Sequence, residues 1–239
     1  MQIFFAKKFL AFFDYFHQKK IFKHLKKYLG ESLDTVIDVG AHRAETINKL
    51  NNFFKIKKIL AFEPSKENFK HLEKIKNKEF KNVDIFNLGC GNENKKTILK
   101  FAFESSSSTI SEINLNSKYF KLKKKAFLGA TNKKLFTNEE IEIIKLDDFL
   151  DSNGIKKVEL LKIDTEGYEF EVIKGITNKL QNVKIIYFEH HFDDMIKKKY
   201  TFRDINSFLK KNNFKQIFKT KMPFRKVFEY IYANEKFSK

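Results

Sequence analysis

From residue 33 onward, short apolar runs alternate with stretches whose apolar residues recur every three or four positions. The runs at 35–39, 58–62, 83–88, 158–163 and 183–188 read as buried strands. Between them, helical spacing runs from the turn at 38–44 to about residue 53. It returns at 66–76 (Phe69, Leu72 and Ile75 on one face), at 168–174 (Phe170, Val172, Ile173) and at 203–211 (Ile205, Phe208, Leu209). Strands alternating with helices predict an α/β fold built on a parallel sheet with right-handed crossovers. Two further strands, 213–218 and 227–232, are joined by a connection containing Pro223 and close the chain as a hairpin-like pair.

The alternation breaks in the middle. Residues 97–103 and 140–146 read as strands, and between them lies a polar stretch with Ser105 to Ser108, Ser111 and the lysine cluster at 121–125. A segment of about 105–137 is too long for an ordinary connection, so it is expected to be an insertion serving as a lid or acceptor-binding flap. A short helix at 147–150 follows. The first 29 residues mix Phe4, Phe5, Phe9, Phe12, Phe13, Phe16 and Phe22 with seven lysines from Lys7 to Lys27. They read as one or two amphipathic helices, too charged to span a bilayer and lacking a cleavage site. The organisation expected is an N-terminal amphipathic helical extension over 1–32 and one domain over 33–239. The extension packs on its own domain or a partner copy, as in a homodimer, or lies on an anionic membrane surface.

Composition narrows the classes. A chain of 239 residues with 29 Phe can bury a full core, and one cysteine excludes both a disulfide framework and a cysteine zinc site. Nothing points to an oxidising compartment, so a cytoplasmic location is expected, with the N-terminal helix able to hold the protein peripherally at the inner membrane face. The net charge of +18 favours an anionic partner. The absence of any nucleic-acid recognition motif, and lysines spread over the whole chain, argue against nucleic acid.

Candidate chemistry collects where strands end. Asp38 and Gly40 close the first strand and open a helix, whose free N–H groups suit an anion. Glu63-Pro64-Ser65 closes the second, where a carboxylate can accept both ribose hydroxyls. This layout serves nicotinamide dinucleotides and S-adenosylmethionine. The dinucleotide fingerprint wants three glycines, whereas positions 40, 42 and 45 read Gly, His and Glu. Glu45 would repel a pyrophosphate, which disfavours an NAD-dependent oxidoreductase. A non-catalytic basic module binding RNA or membrane on the same fold is a further alternative. At the fourth strand, Asp164-Thr165-Glu166-Gly167 places carboxylates at a strand end. The fifth strand ends in Glu189-His190-His191. Asp164, His190 and His191 are the candidate general bases. Thr165 and Glu166 are expected to serve the following helix. His17, His24 and His71 read as surface residues. A metal site from Asp164, Glu189 and His190 is only weakly specified, and no metal is expected.

The chain resembles the FkbM family of S-adenosylmethionine-dependent methyltransferases. The residues that carry the resemblance are Val36-Ile37-Asp38-Val39-Gly40-Ala41-His42, Phe62-Glu63-Pro64-Ser65, Asn87-Leu88-Gly89-Cys90-Gly91-Asn92, Lys145-Leu146-Asp147-Asp148-Phe149 and the ten residues from Leu160 to Glu169, followed by Val172-Ile173-Lys174-Gly175. It extends over roughly 33–233. His42-Arg43-Ala44 departs from the family's frequent Asn-x-Gly, and Gly89-Cys90 from its usual small aliphatic pair. The resemblance implies a class I, Rossmann-like methyltransferase fold: a seven-stranded, mostly parallel sheet with the last strand antiparallel and helices on both faces. It implies O-methylation of a hydroxyl-bearing small molecule or saccharide, such as a surface polysaccharide. The cofactor S-adenosylmethionine would lie along Asp38, Gly40, His42, Glu63, Pro64, Gly89, Cys90, Asn92 and Asp164. Glu63 would take the ribose, the Gly89–Asn92 turn the adenine, and Asp164 would stand beside the methyl group.

Overall fold

A computed structural model describes residues 2–102, 104–122 and 136–237. Its strands are β1 (Ser32–Val39), β2 (Lys55–Phe62), β3 (Val83–Phe86), β4 (Gly89–Cys90), β5 (Lys95–Ala102), β6 (Glu104–Thr109), β7 (Glu112–Ile113), β8 (Phe136–Ile144), β9 (Val158–Ile163), β10 (Val183–His191), β11 (Ile196–Lys197), β12 (Phe214–Lys221) and β13 (Val227–Asn234). The helices are α1 (Gln2–Leu29), α2 (Glu45–Phe53), α3 (Lys66–Glu79), α4 (Leu146–Ser152), α5 (Glu169–Lys174) and α6 (Phe202–Lys211).

Seven strands form the main sheet in the order β12-β13-β10-β9-β1-β2-β3. Every pairing from β10 to β3 is parallel, and β13 runs antiparallel to both its neighbours. The sequence leads to this sheet, with its last strand antiparallel. The chain leaves β1 in one direction through β2 and β3, and returns on its other side through β9 and β10. That reversal opens a crevice at the carboxyl ends of β1 and β9, where open α/β sheets bind ligands.

Side chains on successive strand positions go to opposite faces. Ile37, Val39, Leu161, Ile163 and Phe188 pack with Leu150, Val172, Ile173, Ile205 and Leu209 from α4, α5 and α6. Val36, Leu160, Ile185 and Ile231 pack on the other face with Ile21, Phe22 and Leu25 of α1, Ile47 and Leu50 of α2, and Leu72 of α3. Burial on both faces is why the central strands read as nearly continuous apolar runs.

The N-terminal segment is one helix, α1, and its second half is part of this core. His17 is buried and bonded to Glu229 of β13, so it is not the surface residue its lysine-rich neighbours suggest. Glu229 also accepts hydrogen bonds from the Gln18 amide (2.9 Å) and the Tyr187 hydroxyl. His24 stacks on Phe218 at 4.4 Å and is half-buried, while His71 is exposed as expected. Lys20, Lys23 and Lys27 of α1 are exposed, on a different stripe from its buried face.

A second, four-stranded sheet of order β4-β8-β5-β6 sits beside the first. Part of the segment expected as a long insertion therefore has regular structure. β6 extends this sheet, β7 pairs with β11, and residues 118–122 are helical. A run of serines carries no apolar alternation, which is why β6 escapes a sequence reading. Residues 123–135, including Lys123 to Lys125 of the lysine cluster, lie outside the described residues.

Candidate active site

A cavity of about 660 Å³ opens at the carboxyl ends of β1, β2, β9 and β10. One half is walled by Val39–His42, Glu63–Pro64 and Leu88–Cys90. The other half is walled by Asp164–Glu166, Glu189 and His191, with Asp14 and Gln18 from α1 and Met222, Phe224 and Arg225 from the β12–β13 turn.

In the first half the turn after β1 is locked to the end of β2. The Gly40 and Ala41 amides both donate to the Phe62 carbonyl, at 2.9 and 3.0 Å. The His42 amide donates to Glu63 Oε2 at 2.8 Å, and the Ser65 amide to Oε1 at 2.9 Å. Each Glu63 oxygen thus takes one backbone donor and keeps acceptor capacity on the cavity side. Burial pushes the Glu63 carboxyl up and the backbone donors oppose this. The Asn87 amide ties down the carbonyls of Glu63 (2.9 Å) and Pro64 (3.0 Å). The His42 ring turns to Glu45, 3.0 Å away. Gly40 has φ +82°, and a Cβ there would stand 1.9 Å from the Asp164 carbonyl oxygen. It lets β1 approach β9 closely while its backbone also lines the cavity. Gly89 and Cys90 line the cavity and burial pushes the Cys90 thiol up. Asn92 is exposed and does not line the cavity, because the chain leaves it after β4.

Asp38 does not order the β1 turn. It is fully buried within the sheet, 3.3 Å from the Lys162 ammonium. Lys162, itself 3% exposed, reaches Asp164 at 3.4 Å on its other side. Burial opposes the Lys162 charge, but Asp38, Asp164 and Glu189 hold its pKa above the ordinary lysine value. Burial pushes Asp38 up against the pull of Lys162. A buried lysine next to the end of β9 thereby links the sheet interior to the cavity floor.

The two histidines separate. His191 faces the cavity, with Nε2 3.2 Å from Glu166 and Nδ1 3.3 Å from Asp193. Burial lowers its pKa, but Glu166 and Asp193 outweigh this and raise it to about 9. His190 points to the opposite face, among Phe192, Tyr200 and Phe202, where burial lowers its pKa to about 3. Strand alternation removes it from the candidate bases and from any set with Asp164 and Glu189. Among the described residues no cluster of His, Cys, Asp and Glu could hold a metal ion.

Glu166 also departs from expectation. It lines the cavity instead of capping α5, whose N-cap is Tyr168 with no side-chain cap bond. Glu169 does the organising: it accepts the Gly167 amide at 2.7 Å and the Tyr200 hydroxyl. The Thr109 and Ser111 hydroxyls donate to the carbonyls of Glu166 (2.7 Å) and Gly167 (2.9 Å), which pins the second sheet to this turn. Glu189 was read only as a weak metal candidate, yet it faces the cavity. Burial and the charge of Asp164 push its carboxyl well up. The period-two pattern of β10 could have found it, since 189 and 191 share a face.

A family model, the methyltransferase FkbM domain, matches residues 38–215. The chain belongs to the FkbM methyltransferase family. All of α1 and the whole β12–β13 turn of this FkbM chain lie outside the matched span. The crystal structure of methyltransferase FkbM from Methylobacillus flagellatus KT has the same fold, with a TM-score of 0.52 and 14% identity over 85% of this chain and 44% of that one. This chain thus spans less than half the length of that relative. The METTL16 MTase domain aligns with a TM-score of 0.52 and 12% identity, over 90% of this chain and 67% of that chain. Hexuronic acid methyltransferase AglP of Haloferax volcanii is 41% identical over 51 residues, which is 21% of this FkbM chain and 21% of AglP.

Proposed function

We propose that the protein is an S-adenosylmethionine-dependent O-methyltransferase acting on a hydroxyl of a sugar or small metabolite. The observation that carries this reading is the continuity of one cavity from the Glu63 turn to the wall of Asp164, Glu189 and His191. Glu63 fits a ribose, because both its oxygens retain acceptor capacity beside a backbone-locked turn. Bound S-adenosylmethionine would supply an electrophilic methyl carbon on a sulfonium. Glu63, the Gly40–His42 turn and the Leu88–Cys90 segment would hold it. The partial likeness to a hexuronic acid methyltransferase supports a sugar acceptor.

The acceptor side follows from proton states. A hydroxyl is a weak nucleophile, and a group that takes its proton speeds transfer. His191, with a pKa of about 9, is already protonated at neutral pH and cannot take another proton. Burial and the Asp164 charge push Glu189 well up, which favours a protonated, hydrogen-bond-donating carboxyl. Asp164 is therefore the base, held beside Lys162 at the end of β9. Glu189 and Glu166 orient the acceptor's other hydroxyls. Most of the rate comes from this positioning.

The test is incubation of the protein with methyl-labelled S-adenosylmethionine and hydroxyl acceptors, sugars and uronates included, read by mass spectrometry. The expected product is a labelled methyl ether, with Asp164→Asn slowing turnover by roughly 10²–10⁴-fold at unchanged cofactor affinity. Undiminished turnover in Asp164→Asn would overturn the assignment of the base, and label on no hydroxyl would overturn the reaction.

A further inference from the structure

The acceptor half of the cavity opens between α1 and the turn joining β12 to β13. Asp14 and Gln18 line it from one side, and Met222, Phe224 and Arg225 from the other. Arg225 grips Asp14 with two bonds, at 2.9 and 3.2 Å, and Phe13 meets Phe224 edge-to-face at 5.4 Å, so helix and turn form one rim. This rim exposes large aromatic rings. Tyr15 is 61% exposed, Phe16 53% and Phe224 69%. Lys20 follows Phe16 by one helical turn, Lys221 and Lys226 flank Phe224 of the β12–β13 turn, and all three are exposed. Large aromatics projecting beside lysines suit the interface of an anionic bilayer, where rings enter the headgroup layer and ammonium groups meet lipid phosphates. No helix among the described residues is long and apolar enough to cross a membrane, so the contact is one of surface docking.

We propose that the rim formed by Tyr15, Phe16 and Phe224 docks on an anionic lipid surface, so that the mouth of the acceptor pocket faces the membrane and the acceptor is a hydroxyl-bearing molecule carried there. The acceptor part of this inference rests on the methyltransferase reading, whereas the docking itself does not. The chain contains no tryptophan, so one introduced at the rim reports alone. Phe224→Trp, and independently Tyr15→Trp, are mixed with vesicles of phosphatidylcholine plus phosphatidylglycerol, and with phosphatidylcholine alone. Binding of S-adenosylmethionine is measured alongside, which separates failure of docking from failure of the cofactor reading.

The expected result is a blue-shifted emission, quenched by brominated lipid, with the anionic vesicles only. Adding Lys221→Gln and Lys226→Gln should weaken it by roughly tenfold. Ile98→Trp, on the exposed side of β5, should stay unshifted. Absence of a shift in both rim variants overturns the proposal. So does an equal shift at Ile98→Trp, or a shift that appears without lipid as protein concentration rises, which would make a second copy the occupant.

Discussion

Lys162 is the residue on which the site turns. It lies buried in β9, whose only other charged residue is Glu159, and spans from Asp38 inside the sheet to Asp164 at the cavity. The sequence reading treated 158–163 as an apolar run and gave Asp38 to the neighbouring turn, because one dimension shows no partner for a buried charge. Breaking such a pair leaves an uncompensated ion in the core, so these residues support Asp164, the proposed base, from below. His191 makes a second residue-scale statement. Its pKa rises from the ordinary 6.5 to about 9, so its pairing with Glu166 and Asp193 stabilises the fold fully below pH 6.5. That contribution fades as pH climbs through about 9. Chemical denaturation across this range should show stability falling by on the order of 3 kcal/mol, and His191→Gln should flatten the profile. If Asp164 is the base, turnover does not rise as the imidazolium loses its proton. A turnover that instead rises through this range would restore His191 as the base.

Elements explain why some of this was legible and some was not. The strand-and-helix order, Glu63 at the end of β2 and Asp164 at the end of β9 all follow from local pattern, because an open parallel sheet puts its ligands at strand ends. The acceptor wall does not. It pairs α1 with the β12–β13 turn, more than 200 positions apart in sequence, through Asp14 and Arg225. Nothing in either segment's periodicity announces the other. Glu166 was misread for a related reason: a carboxylate just before a helix looks like a cap, and only the fold of the Glu169 turn sends it to the cavity. The α1 contact should matter to the acceptor alone. Arg225→Gln should raise the acceptor KM while leaving cofactor affinity unchanged, at a stability cost of about 1 kcal/mol or less for this half-exposed pair. A matching loss of cofactor affinity would mean that α1 shapes the whole cavity.

At the scale of the molecule, one sheet reversal generates the crevice and one long helix closes its far side. The glycines of the shared motifs serve assembly as much as binding. Gly40 admits the Asp164 carbonyl, and a Cβ on Gly175 would stand 1.9 Å from the Gly91 carbonyl oxygen, so the motifs bring backbones together around the site. This is why a family pattern can be plain in sequence while the acceptor remains unread: the pattern encodes the frame, and the part of the wall from α1 and the β12–β13 turn lies beyond it. The central claim is that the Glu63 end of the cavity holds S-adenosylmethionine. Isothermal titration of the full chain with S-adenosylmethionine tests it most directly, with Glu63→Ala titrated in parallel after its fold has been checked by thermal unfolding. The account predicts one-to-one binding to the wild-type protein and a loss of roughly tenfold or more in the variant, the scale of a charged hydrogen-bond acceptor removed from a ligand. No heat of binding in the wild type, or equal affinity in Glu63→Ala, would contradict it.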